Sequence, residues 1–437
     1  MKKIWGLSVA ALALIGTASA EDIEIIHAGT LLAVPGETPL TEQTIIVKGR
    51  QIVSVLPGYQ GEDAVEAGAE DKVTLHDLSG YTVMPGFIDG HVHLTFEFNS
   101  QLRLEAVQLS DADAAIRGAK HAKSTLMAGF TTVRDVGAGS GDAIFALRDG
   151  IEKGWIDGPR IFASGATVSV TGGHGDGTQG YRDDIAHLMT SSAVCDGADE
   201  CRHAVREQIR RGADHIKLTA TGGVLSNTAT GTEQQFTEEE LDAIMSSAHA
   251  MGRKVTAHAH GKQGIESAIK AGVDSIEHGT YLDDRTIRLM KSNDVFLVPT
   301  ALAGKTVSGW AAAPDSFLTP PQKAKALQVG PQMKDMVRRA HEGGVKIAFG
   351  TDSGVSAHGI NAEEFALYVE AGMTPMEAIR SATVVGAANL GKSDMIGTIE
   401  TGKRADIVAV SGDPLADIRE LEDIDFVMKD GVVHKSQ

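Results

Sequence analysis

Residues 214–226 read DHIKLTATGGVLS: a short apolar run with a lysine at its middle, closed by two glycines. The run has the character of a strand buried on both faces, where an ammonium group is costly unless it is paired. The chemical form of Lys217 is therefore the first question that the sequence raises.

Seven further stretches have the same character: FIDGHVHL (87–94), TTVRDV (131–136), RIFASGATV (160–168), KVTAHAHG (254–261), SIEHGTYL (275–282), VFLVPTAL (295–302) and KIAFGTDSG (346–354). Helical patterns at 105–128, 237–251 and 321–343 fall between them. Alternating strands and helices argue for a parallel α/β arrangement. Eight such units suit a (β/α)8 TIM barrel, which takes about 250 residues and often more. No G-x-G-x-x-G opens a helix after the first strand, so a dinucleotide fold has no support.

Further outward, residues 22–86 and the C-terminal GTIETGKRADIVAV and DIDFVMKDGVVHK are short β-runs with turn signals. Pieces at opposite ends of a chain can pair, because termini often lie close together. The expected organisation is a β-sandwich from 21–86 and 392–437 flanking a barrel over 87–391. The first twenty residues stand apart. Lys2 and Lys3, an apolar run from Trp5 to Ile15 and Ala18-Ser19-Ala20 make a signal peptide cut after Ala20. The mature chain is then exported, to the periplasm or beyond.

A net charge of −18 argues against nucleic acid and anionic membrane surfaces as partners. The two cysteines, Cys195 and Cys201, lie in a polar loop entering a helix. In an oxidising compartment they can close a small disulfide loop; two unpaired thiols are the alternative.

His91 and His93 are two apart on one strand and share a face. Lys217, His258, His260, His278 and Asp352 occupy similar ends of other strands, where barrel active sites form. Packing alone does not account for so many buried polar side chains. The glycine-rich TVSVTGGHGDGTQG (167–180) after the third strand offers backbone amides and His174 to a substrate carboxylate, and Gly222 and Gly223 offer the same. A flexible lid is the competing reading of that loop. Segment 306–322, with Trp310 and Phe317, is a candidate cap.

MPGFIDGHVHL, IKLTATGGV, VTAHAHG, SIEHGT and FGTDSG together resemble the metal-dependent amidohydrolase superfamily. More narrowly they resemble its binuclear branch of Xaa-Pro dipeptidase-like carboxypeptidases, which includes ochratoxin-hydrolysing amidases. The resemblance implies that Lys217 is carboxylated by CO2 to a carbamate and bridges two divalent metal ions, zinc by default. It implies that His91, His93 and Asp352 hold one ion, and His258 and His278 the other. A hydroxide between them would attack the amide, with Asp352 passing its proton to the leaving amine. His260 is read as a donor to the developing oxyanion. The implied substrate is a small amide with a free carboxylate: a dipeptide such as Xaa-Pro, an N-acyl amino acid or an ochratoxin-like amide. A homo-oligomer is also implied, an octamer being one form. A hydrolase of lactones or cyclic amides and a non-catalytic metal-binding scaffold stay open as alternatives.

Overall fold

The computed structural model describes residues 22–68, 71–139, 141–227 and 231–436. The expected leader, residues 1–20, lies outside the described residues. In chain order the strands are β1 (Asp22–Leu31), β2 (Leu40–Lys48), β3 (Gln51–Pro57), β4 (Lys72–Pro85), β5 (Phe87–Val92), β6 (Phe130–Asp135), β7 (Arg160–Ala163), β8 (Ile216–Thr219), β9 (Val255–Ala259), β10 (Ser275–His278), β11 (Phe296–Val298), β12 (Ile407–Val410), β13 (Phe426–Lys429) and β14 (Val432–Lys435).

Both ends of the chain meet in a single mixed sheet of order β14-β13-β12-β4-β1-β2-β3. The junction is antiparallel, with Ile407 opposite Pro85 and Ala409 opposite Val83. Alternate residues of these strands, among them Ile26, Ala28, Ile45, Val47, Ile407, Ala409 and Phe426, make this sheet's own apolar core. The expected sandwich is thus hydrogen-bonded as one continuous seven-stranded sheet.

The middle of the chain forms two parallel sheets, β5-β6-β7 and β8-β9-β10-β11. Isolated parallel bridges join them. Val168 pairs with Leu218 on β8, Leu297 on β11 with Ile347, and Val92 on β5 with Ser353. The parallel pairings thereby pass through eight chain segments and return to β5.

The eighth segment, KIAFGTDSG, is not the regular strand expected of it. It touches β11 through Ala348 N–H to Leu297 O (2.9 Å) and β5 through Asp352 N–H to His91 O (2.8 Å). Asp352 has φ +59°, which breaks the extended backbone. The seam is also close: a Cβ on Gly350 would stand 2.3 Å from Val298 and 3.0 Å from His91.

The expected helix over 105–128 is two, Leu102–Gln108 and Asp111–Met127. Ser110, extended at φ −86° and ψ 169°, caps the second in a reciprocal pairing with Asp113. Within 306–322, helix Ala301–Ala312 ends and helix Pro320–Glu342 begins. These two helices pack over Val224, Leu225, Phe98 and Val355, on the loops that follow β5, β8 and the eighth segment. Trp310 stacks on Phe98 there, and Phe317 meets Phe98 at a tilt.

Candidate metal centre

Strand ends bring two groups of donors together. One ligand atom from each of His91, His93 and Asp352 lies within 4.8 Å of the others, and the same holds for His258, His260 and His278. His91 and His278 link the groups, their rings 5.1 Å apart.

Hydrogen bonds turn the ring lone pairs inward. His93 Nδ1 donates to Gly137 O (2.8 Å) and His91 Nδ1 to Glu277 Oε2 (2.7 Å). Both Nε2 atoms then face Asp352 Oδ1, at 3.2 and 3.4 Å. His278 Nδ1 donates to Thr300 Oγ1 (2.7 Å), whose own proton goes to Pro299 O (2.7 Å). His258 is the reverse case: its Nε2 faces Gly222 O at 3.4 Å, leaving Nδ1 inward. Burial, with the neighbouring imidazoles, holds His258 and His278 well below the ordinary histidine range, so both rings are neutral, the form in which an imidazole can bind a metal. Burial opposes ionisation of Asp352, yet His91 and His93 hold its carboxyl well below the usual range. The donor set, imidazole nitrogens and a carboxylate converging in a buried pocket, fits divalent ions of the zinc class.

Lys217 is buried on β8. Burial pushes its ammonium down to about 8, against the pull of Glu277 and Asp352. Its charge acts on His93, His174, His258 and His278, residues on both sides of the site.

His260 is the third member of the second group, its ring 4.7 Å from that of His258 and 4.9 Å from that of His278. The geometry alone therefore makes it a neighbour of both. Its Nδ1 bonds Thr280 Oγ1 (2.8 Å), and burial pushes its pKa down to about 4.

His174 reaches the site, its ring 4.3 Å from that of His258, and Nδ1 donates to Ser226 Oγ (2.6 Å). Gly222 must be corrected as a carboxylate donor. Its N–H is already given to Glu233 O (2.9 Å). Both glycines also provide room: a Cβ on Gly223 would lie 2.3 Å from the His174 ring, and one on Gly222 2.3 Å from Gly231 O. Lys325, from helix Pro320–Glu342, donates to Gly223 O (2.8 Å) and Ser226 O (2.9 Å) and ties this loop to the covering helices. Cys195 and Cys201 are joined by a disulfide at the base of the preceding loop.

Sequence reasoning passed over Glu277 and Arg134. Glu277 is fully buried and accepts from His91, Thr256, Ser275 (2.9 Å) and Arg134 Nη2 (2.7 Å). Burial opposes its charge, but Arg134 and His91 hold the carboxyl far below the ordinary range. Simple strand alternation separates Glu277 from His278. His278 has φ +70°, which breaks the alternation and brings its ring to 5.1 Å from that of His91, while Glu277 keeps the inward face it shares with Ser275.

The fold and this site define a member of the amidohydrolase family, whose model matches residues 82–434; the chain belongs to that family and is a hydrolase of amide bonds. Among individual proteins, it is 32% identical to the ochratoxinase of Aspergillus niger over 436 residues, covering 94% of this chain and 87% of that one. A solved Xaa-Pro dipeptidase with methionine bound in its active site is 42% identical, with TM-score 0.87 over 95% of this chain and all (100%) of that one. A prolidase complexed with N-methylphosphonate-L-proline is 32% identical, with TM-score 0.84 over 95% and 100%.

Proposed function

We propose that this chain is a binuclear metal-dependent hydrolase that cleaves the amide bond to a C-terminal amino acid. Its substrates would be dipeptides such as Xaa-Pro, N-acyl amino acids or ochratoxin-like aromatic amides. The observation that carries this reading is the pair of inward-turned donor groups with Lys217 between them electrostatically. The names of the relatives support the substrate class. We read the ring of parallel pairings as a closed (β/α)8 barrel with the site at its C-terminal mouth.

His91, His93 and Asp352 would hold one ion, and His258 and His278 the other, zinc being suited to such donors. When bound, the ions polarise the scissile carbonyl and acidify water. Lys217, with its pKa near 8, keeps part of its amine neutral close to neutral pH. That is the form that adds CO2, and the carbamate exchanges a repelling cation for an anionic oxygen donor. Asp352 is ionised and faces the His91 and His93 Nε2 atoms, so it is placed to accept a proton and return it to the leaving amine. His260 donates to the developing oxyanion in the tautomer where Thr280 donates to Nδ1 and Nε2 carries the proton. Lys325 adds positive charge on the side of His174 and His260, which favours a substrate carboxylate there. The Cys195–Cys201 bridge supports export to an oxidising compartment.

The test is a mass-spectrometric panel with zinc-loaded protein. It pairs each dipeptide and N-acyl amino acid with its carboxyl-blocked form and adds several lactones. Release of the C-terminal amino acid from free-carboxylate members alone is the expected result. Turnover of blocked amides or lactones instead would remove the carboxypeptidase-type reading.

A further inference from the structure

A third group of donors lies apart from the two just described. Glu97 follows β5, His121 sits on helix Asp111–Met127 and His358 follows the eighth segment; one ligand atom from each lies within 4.8 Å of the others. His121 Nδ1 donates to Leu94 O (2.8 Å), which leaves Nε2 as a lone pair. His358 Nε2 donates to Phe96 O (3.2 Å), which leaves Nδ1 as a lone pair. That Nδ1 is buried and has no hydrogen-bond partner among the described residues. Among the described residues, Glu97 Oε1 accepts the backbone N–H of His358 (2.9 Å) and no other hydrogen bond.

Both rings are well enclosed, His121 at 5% and His358 at 9% exposure. Burial lowers both pKa values, that of His358 to about 4, so neither ring brings its own proton to the cluster. Nearby Arg117 is occupied by Thr95 O and Glu105. Arg117 and Lys120 lie near enough to act on His121, yet among the described residues no hydrogen bond from either to these three side chains is seen, so two imidazole lone pairs and a carboxylate converge without a donor between them.

We propose that Glu97, His121 and His358 form a third divalent-cation site, of the zinc class by its two-nitrogen, one-carboxylate donor set. A water would complete a tetrahedral shell. The His121 and His358 rings now stack at 4.3 Å and 19°. Binding draws the donor atoms together by roughly an ångström and turns one ring out of the stack, since metal–nitrogen bonds are about 2.0–2.1 Å long. The ion would staple the segment that carries His93 to the one that carries Asp352, without touching substrate.

The experiment counts metal. The full chain is stripped with a chelator, reloaded with excess Zn2+, freed of unbound ion and assayed for zinc per chain. His358→Asn and the double variant Glu97→Gln/His358→Asn are treated in parallel, with circular dichroism to confirm folding. The expected result is one zinc fewer per chain in each variant than in the parent, while Asp352→Asn keeps the third ion. Glu97 is only half-buried, so Glu97→Gln alone supplies the measurement if the histidine variants do not fold; its zinc affinity at this site should fall at least tenfold. Equal counts and equal affinities in parent and folded variants would overturn the proposal and leave the cluster a hydrogen-bonded pocket.

Discussion

The terminal sheet and the ring of parallel strands bury their residues on opposite terms. In the sheet, the inward positions are apolar, from Ile26 and Ile45 to Ile407 and Phe426, and burial itself stabilises. In the ring, the strand ends bury Lys217, His258, His260, Glu277, His278 and Asp352. Burial there costs energy, which hydrogen bonds and opposing charges must offset. The sheet is stable because of what it hides; the ring end is reactive for the same reason.

Substitutions can sharpen that contrast. Asp352→Asn should produce the largest effect, a fall in kcat/KM of about a thousandfold or more with circular dichroism unchanged, because under the proposed function it removes an anionic metal ligand and the proton acceptor. A well-folded Asp352→Asn protein with near-parental activity would show that the ring end is structural, like the sheet. Glu277→Gln comes next. It leaves Arg134 buried without its counter-charge, and a loss of about 3–5 kcal/mol in denaturant unfolding is expected. Weaker metal binding by about 10–100-fold should accompany it, because His91 loses its carboxylate.

In the sheet, Ile45→Ala should cost about 2–5 kcal/mol of stability and leave kcat/KM per folded molecule unchanged. A changed kcat/KM there would mean that the two regions are coupled. The effect confined to pH dependence concerns Glu364, whose carboxyl oxygens accept the N–H groups of Ala301 (2.7 Å) and Leu302 (2.6 Å) beside Thr300. Burial pushes its pKa up to about 8, so the folded state holds a proton that the unfolded state has lost. Stability should therefore fall as pH rises from about 5 to 8, by at most about 1.4 kcal/mol per unit from this group. Glu364→Gln should flatten that slope in denaturant titrations at each pH.

Part of the site is legible in one dimension because strand alternation is a local rule. His91 with His93 and His258 with His260 announce shared faces, and Lys217 is conspicuous because an apolar strand surrounds it. The pairing of the two chain ends follows from similar β-patterns, although their fusion through β4 and β12 into one sheet does not. Glu277 stays hidden because alternation counted from His278 would turn it away from the site; it shares the inward face with Ser275, and the positive φ of His278 brings that ring to the same side. Thr300, Thr280 and Ser226 are ordinary residues until their oxygens meet a histidine Nδ1.

The sequence by itself determined which residue types sit at the strand ends and which faces of the terminal strands are apolar, since both depend on neighbours one or two residues away. Only the tertiary structure decided which nitrogen of each histidine faces inward, that the Gly222 amide is already used, and that Glu97, His121 and His358 meet. Those outcomes depend on contacts between segments far apart in the chain, where direction is set by packing and no local period encodes it.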